Sequence, residues 1–561
     1  MTALVLKVFD GMYPVANNRL LKESAAQIAR NTKISGGSLR PYGQPTTTVA
    51  KRSGGTPVTI YRFGQSEVTD TQFWFEFTSD TDVVRGPIAG DTTERTFYSS
   101  ATTEPRMTYN SLVPGAGVYP NASYRLGIPP PTSALTLAAG GGGGGNTETR
   151  FYCYTFVSAL GEEGPPSAVA SIQVLYGQTV NITAMSTSPG GNYNVNRKRI
   201  YRTVTGPQAT DFQFVGEVAA ATTAFTDNIG TPQLGELLPT DGHYPPRSSV
   251  HNEPGGSAFN PVVVDPSPFT MRGLTMMANG IMVGFAGNII CFSRPFQPHA
   301  WRREDELTTD YPIVATKGFG GQSLAVMTTA YPYIVVGTDP SGMSMVKMDD
   351  LQACVSKRSV VAMEDGVIYA SPHGLMKIGQ NGSGLITRGL FSRDEWQAYK
   401  PDSIHAYSYN GRYVAFYDTG VVRGCLIFSF TGQEPMLVTS DLTATAGFME
   451  PLTGRLYLMQ GSNITRFDAG SAMTQLWRSK RYTLNEHQNL GWGQVIAKAY
   501  PVTLRVYGDD STYTSTTTVT DSKPFRLPAG TRYRSVEVEV ESSTEIEQVA
   551  IASSMAELRS V

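Results

Sequence analysis

Charge is what this sequence has least of. Only 16% of its 561 residues are Asp, Glu, Lys or Arg, and the formal net charge is −2. That balance excludes a protein that coats nucleic acid through a generally basic surface. Cysteine is equally scarce. Cys153, Cys291, Cys354 and Cys425 are scattered, with no spacing that suits a metal knuckle or a redox pair. Each sits in or beside an apolar run, so buried, reduced thiols are expected, which fits synthesis in a reducing cytoplasm. No apolar run approaches the length of a membrane span, and Met1–Lys7 has no basic segment leading into an apolar one, so no secretory signal is expected. The six histidines (His243, His251, His299, His373, His405, His487) form no i, i+4 pair and flank no Cys-x-x-Cys, so no metal site is expected.

Catalytic patterns are missing as well. The acidic runs Asp349-Asp350, Asp509-Asp510 and Glu304-Asp305-Glu306 are poor dyads, because neighbours on a strand point to opposite faces; they read as surface loop acids. Lys317-Gly-Phe-Gly-Gly-Gln-Ser lacks the Gly-Lys-Ser/Thr ending and the following helix of a phosphate loop. No Gly-x-Ser-x-Gly elbow is present. The reading is therefore a non-enzyme with no cofactor.

What is abundant is turn and strand chemistry: 57 Gly, 35 Pro and 28 Tyr. This composition argues for many short strands and against a helical or coiled-coil protein. Between Leu274 and Gly470 a strand–turn–strand unit recurs at roughly forty-residue intervals, as in propeller blades. Asn279-Gly280, Asp365-Gly366 and Asn410-Gly411 sit between alternating apolar runs, where a two-residue hairpin turn needs positive φ. The fold class expected is mainly β: a β-propeller core, an inserted fibronectin-III-like β-sandwich and a C-terminal β-sandwich-like region.

Six segments follow. Residues 1–55 are an N-terminal segment with one short helix, its face formed by Leu21, Ala25, Ile28 and Ala29 and its end set by Gly36-Gly37. Residues 56–130 supply the first propeller strands. Residues 131–147, with Pro129-Pro130-Pro131 at their start and the run Gly140–Gly145 within, read as a flexible joint or exposed loop. Residues 148–240 form the inserted sandwich, and a Pro- and Gly-rich passage from Tyr244 to Pro268 leads back into the main blades, 241–480. Residues 481–561 form the terminal β region, where Glu537, Glu539 and Glu541 should share one solvated face opposite valines.

Several strings resemble a known group: Phe9-Asp-Gly-Met-Tyr-Pro, Ala25-Ala-Gln-Ile-Ala-Arg-Asn, Gly36-Gly-Ser-Leu-Arg-Pro, Cys291-Phe-Ser-Arg-Pro-Phe-Gln-Pro-His-Ala-Trp, Cys354-Val-Ser-Lys-Arg-Ser, Val367-Ile-Tyr-Ala-Ser-Pro-His-Gly-Leu and Asp394-Glu-Trp. Together they are similar to tail nozzle proteins of short-tailed bacteriophages, also called tail tubular protein B, and they span most of the chain. The resemblance implies a structural virion protein, made in the host bacterial cytoplasm and carried in the tail. It also implies a homohexameric ring below the adaptor ring on the portal. Tail fibres or tip proteins would attach nearby, and genomic DNA would pass through the lumen without specific binding. By the same analogy the basic N-terminal segment, with Arg19, Arg30 and Arg40, would face a neighbouring subunit or the adaptor. The alternative is a receptor- or glycan-binding tail protein; a propeller glycosidase ranks last.

Overall fold

The computed structural model describes residues 3–64, 73–203, 211–240, 243–247, 270–430, 435–509, 512–528 and 532–559. Residues 248–269, most of the Pro- and Gly-rich passage, lie outside them. The chain divides into two compact units. One comprises Met1–Thr78, Thr329–Pro332 and Met348–Val561, the other Ser79–Thr328 and Tyr333–Lys347. Both are almost entirely β, as the composition requires.

In the first unit, sequential strands make four-stranded antiparallel sheets. One contains Val361–Met363, Gly366–Ser371, Gly374–Gly379 and Gly382–Leu385; the next four strands, from His405–Tyr409 to Met436–Ser440, have the same order but form one end of a ten-stranded sheet that continues through Ala26–Arg30. The third has only three sequential strands (Ala446–Glu450, Arg455–Gln460, Asn463–Arg466) and takes Thr46–Ala50, from near the start of the chain, as its fourth. A hairpin of Thr59–Arg62 and Trp74–Phe77 follows in space. The first strands Val361–Met363, His405–Tyr409, Ala446–Glu450 and Thr59–Arg62 lie side by side in that order, as the inner strands of successive propeller blades do. The second unit repeats the arrangement, with Thr81–Arg85, Arg272–Met276 and Ile313–Phe319 as the adjacent first strands of three sheets.

The turns follow glycine chemistry, with register surprises at two of the three sites. At the first, the Met276–Met282 pair and the bond from Met277 N–H to the Ile281 carbonyl leave Ala278, Asn279 and Gly280 as a three-residue turn. Asn410 (φ 47°) and Gly411 (φ 71°) form the two-residue turn expected, closed by the pair Tyr409–Arg412. At the second site the turn is Glu364–Asp365, and Gly366 already belongs to the next strand opposite Met363. In Lys317-Gly-Phe-Gly-Gly, Gly318 lies within the strand Ile313–Phe319 opposite Leu324, and Gly320 and Gly321 belong to the hairpin turn that leads into Ser323–Thr328.

The expected N-terminal helix is absent. Ala26–Arg30 is a strand, antiparallel to Gln475–Ser479 and parallel to Met436–Ser440 through Arg30–Thr439. Its Ala26 and Ala29 are buried in a sheet, and tertiary pairing overrides a helical period that only four residues supported. Gly36 and Gly37 are the positive-φ turn of the hairpin Thr32–Ser35 and Ser38–Pro41. These N-terminal strands complete a two-sheet sandwich with the C-terminal region: Ala3–Leu6 and Ser38–Pro41 pair with Ile546–Ala552 in one sheet, and Ala26–Arg30 joins the other. Phe9, Trp477, Val495, Leu504, Val538 and Ile551 fill the core between them.

The insertion is a separate sandwich within the second unit. Thr147–Ser158, Ala170–Leu175, Val195–Thr203 and Phe212–Ala219 form one sheet; Thr136–Ala139, Val180–Thr183 and Phe225–Asp227 form the other. Tyr152, Tyr154, Ile182 and Ile200 are its core. The segment read as a joint therefore holds a strand, Thr136–Ala139, and its glycines are the exposed loop that follows. The sandwich is seated on its neighbouring sheet: the Arg125 N–H donates to the Asn192 carbonyl at 2.8 Å, and Arg95 pairs with Glu162 at 3.5 Å.

Candidate functional site

The residues with chemical potential are used to hold the fold. All four cysteines are buried without disulfides. Burial pushes the Cys354 thiol up to about 12, opposed by the Ser356 backbone contact. Burial likewise holds His405 down at about 3, reinforced by the Arg358 charge; its ring nitrogens meet Tyr407 Oη and the Ala444 carbonyl, each at 3.0 Å. His299 sits deep although part of the residue reaches solvent; burial, then His243 and Arg95, hold it at about 3. Imidazoles this acidic are neutral at pH 7 and make poor general bases there. Among the described residues no group of three His, Cys, Asp or Glu could hold a metal ion, and no helix is long and apolar enough to cross a membrane.

The acidic runs separate into different roles. Asp350 accepts a bond from Ser383 Oγ at 2.6 Å. Asp509 accepts the N–H groups of Arg534 and Ser535 at 2.8 and 3.0 Å; its neighbour Asp510 lies outside the described residues. Glu304-Asp305-Glu306 is not simply a surface loop. Arg247 clamps Glu306 through two 2.8 Å bonds, and Cys291 Sγ reaches the same carboxylate at 3.4 Å. Asp305 is buried and its carboxyl is raised, chiefly by burial, against the opposing charges of Arg302 and Arg294.

The three arginines proposed for an interface lie apart in their local roles. Arg19 is exposed on a loop beside Leu20, which is 73% exposed. Arg30 is 3.7 Å from Asp441, with both side chains near half exposed. Arg40 donates to Glu545 at 2.8 Å. Lys498, then Arg40 and Ser38, outweigh burial and hold the Glu545 carboxyl at about 2.

Sequence reasoning missed the largest charge assembly. The valines of Tyr533–Ser542 do face the core, but of the glutamates alternating with them Glu537 and Glu539 are covered, and only Glu541 stays partly open to solvent. Arg478 and Arg481 converge on Glu537, with Nε–O distances of 2.8 Å each, and Arg505 bridges Glu539 and Glu541 at 2.7 and 2.6 Å. The Arg478 guanidinium also lies 3.9 Å from the Tyr507 ring centroid. Glu537 and Glu539 keep only 2% and 5% exposure. Three arginines thus match three glutamates across adjacent strands. Cross-strand pairing of Arg505 with the glutamate strand was the available signal.

This ladder fixes a pH dependence. Burial works to raise Glu537, but Arg481 and Arg478 overcome it and lower the carboxyl. A group depressed in the folded state stabilises above its unfolded pKa, and that contribution is lost as pH falls through the folded value. Stability is therefore expected to hold at neutral pH and to fall below about pH 4.5 as Glu537 protonates, with Glu545, outside the ladder, adding a further loss toward about pH 2. Glu537→Gln should cost about 1.5–3 kcal/mol at pH 7 and flatten that fall. Urea midpoints measured across pH check both; a mutant with the wild-type slope would contradict them.

No family model matches the chain, and no curated protein does. Solved structures match at low similarity. BBS1N in complex with ARL6DN is 8% identical, with a TM-score of 0.29, covering 76% of this chain and 96% of that one. Virginiamycin B lyase from Staphylococcus aureus is 8% identical, with a TM-score of 0.26, covering 59% and 96%. Exo-beta-1,3-galactanase from Phanerochaete chrysosporium is 8% identical, with a TM-score of 0.18, covering 91% and 100%.

Proposed function

We propose that this chain is a structural virion protein of a short-tailed bacteriophage, a subunit of the tail nozzle ring that extends the DNA-ejection channel beneath the adaptor and portal. In this reading it is a homohexamer without catalytic activity. The observation that carries it is the set of nozzle-like strings running from Phe9 to Trp396. Those strings supply core residues of separate hydrophobic clusters: Phe9, Trp301 and Trp396 have no exposed surface. What the resemblance tracks is therefore the scaffold itself.

Two further features support the reading. A conduit must not retain its cargo, and a near-neutral subunit, at net charge −2, avoids the many phosphate contacts that would trap DNA. The glutamates of Tyr533–Ser542, which could have repelled DNA, are neutralised by Arg478, Arg481 and Arg505. Deleting the gene should give DNA-filled heads with truncated tails that fail to eject. Complete tails without this chain would overturn the assignment.

A further inference from the structure

The glycine run has a role that a spacer does not require. It is laced to the turn that follows Ala170–Leu175. Gly140 N–H donates to the Thr179 carbonyl at 2.8 Å, Gly144 N–H to the Tyr176 carbonyl at 3.0 Å, and Tyr176 N–H to the Asn146 carbonyl at 2.9 Å. Gln178 Nε2 adds a bond to the Gly140 carbonyl at 3.0 Å. Gly142 and Gly143, at φ 80° and 81°, take the left-handed conformation this closure needs. A Cβ at Gly143 would fall 2.7 Å from Gln178 Cβ, whereas one at Gly141, Gly144 or Gly145 would meet nothing within 4 Å. The result is an ordered loop whose outer surface is bare backbone.

Tyr176 stands beside that surface. It is 62% exposed. Among the described residues its ring packs on no other ring and its hydroxyl makes no hydrogen bond. The N–H groups of Gly141, Gly142, Gly143 and Gly145 are likewise unused among the described residues. Exposed charge is lacking there: residues 132–147 and 164–196 contain no Asp, Glu, Lys or Arg, and Arg150, which donates from Nη1 to the Gln178 carbonyl at 2.9 Å, is 4% exposed and paired with Glu148. An exposed aromatic face, free backbone donors and a surface without an open charge form one recognition chemistry. The ring can stack on the apolar face of a sugar, the amides can meet its hydroxyls, and the one cation beneath the tip is already neutralised by Glu148.

We propose that the tip formed by Gly140–Asn146 and Tyr176–Thr179 is a binding site for neutral glycans. This goes beyond the scaffold reading and does not depend on it. The test is the full-length chain applied to an array of neutral and acidic oligosaccharides, beside Tyr176→Ala, Gly144→Glu and the remote control Val421→Ala. Tyr176 and Gly144 are open to solvent, so neither substitution should disturb folding. The expected result is binding to at least one neutral glycan, weakened roughly tenfold or more by Tyr176→Ala, abolished by Gly144→Glu and unchanged in the control. Binding to no glycan, binding only to acidic ones, or binding indifferent to both tip variants would overturn the proposal. None of these outcomes bears on ring assembly, which is measured separately.

Discussion

Asp227→Ala is expected to destabilise the inserted sandwich by about 3–5 kcal/mol, the cost of removing one partner of a buried ion pair. Asp227 has no exposed surface, and Arg202 is 1% exposed. The carboxylate accepts from Tyr152 Oη at 2.7 Å and from the Ile229 N–H at 3.0 Å, and it lies 3.2 Å from Arg202 Nη1. Removing it leaves the Arg202 charge in the interior, where Nε already lacks a hydrogen-bond partner among the described residues. Hydrogen exchange resolves the effect by segment. Amides of Thr147–Ser158 and Val195–Thr203 should lose most of their protection, while those of Tyr533–Ser542 keep theirs. Unchanged protection in the sandwich would show that Asp227 does not hold it.

Trp477→Ala should cost a similar amount, about 3–5 kcal/mol, with a different consequence. The indole is fully buried, meets Phe9 edge-on at 5.0 Å, and donates from Nε1 to the Asp10 carbonyl at 3.0 Å. It therefore pins the segment that supplies strands to both sheets of the terminal sandwich. The substitution should release residues 3–50, exposing cleavage sites at Lys22, Arg30 and Lys33 to trypsin at a concentration that spares the wild type. A wild-type digestion pattern would mean that the strand pairing holds without the tryptophan.

The blades were legible because their signal is local. Alternating runs around Asn410-Gly411 name both the strands and the turn between them. The sheet beginning at Ile313–Phe319 was harder to see, since its turn glycines resembled a phosphate loop. The N-terminal strands were not legible. Ala26–Arg30 and Thr46–Ala50 find partners more than four hundred residues away, and nothing in a short local window encodes such pairing. The helix Arg393–Ala398 was readable but unread: Ser392 and Glu395 form the capping box that marks its start. Paired charges failed for the same reason as distant strands. Glu537 reads as a solvated face until Arg478 and Arg481 are brought across to it.

The central claim is that these sheets form the wall of a nozzle ring. Cryo-electron microscopy of the assembled tail tests it most directly, with the 60.7 kDa chain traced in the density. The account predicts six copies around a pore wide enough for a DNA duplex, at the distal end below the adaptor ring. A tail in which this chain is missing, is a lone copy, or sits only as a peripheral appendage would contradict it.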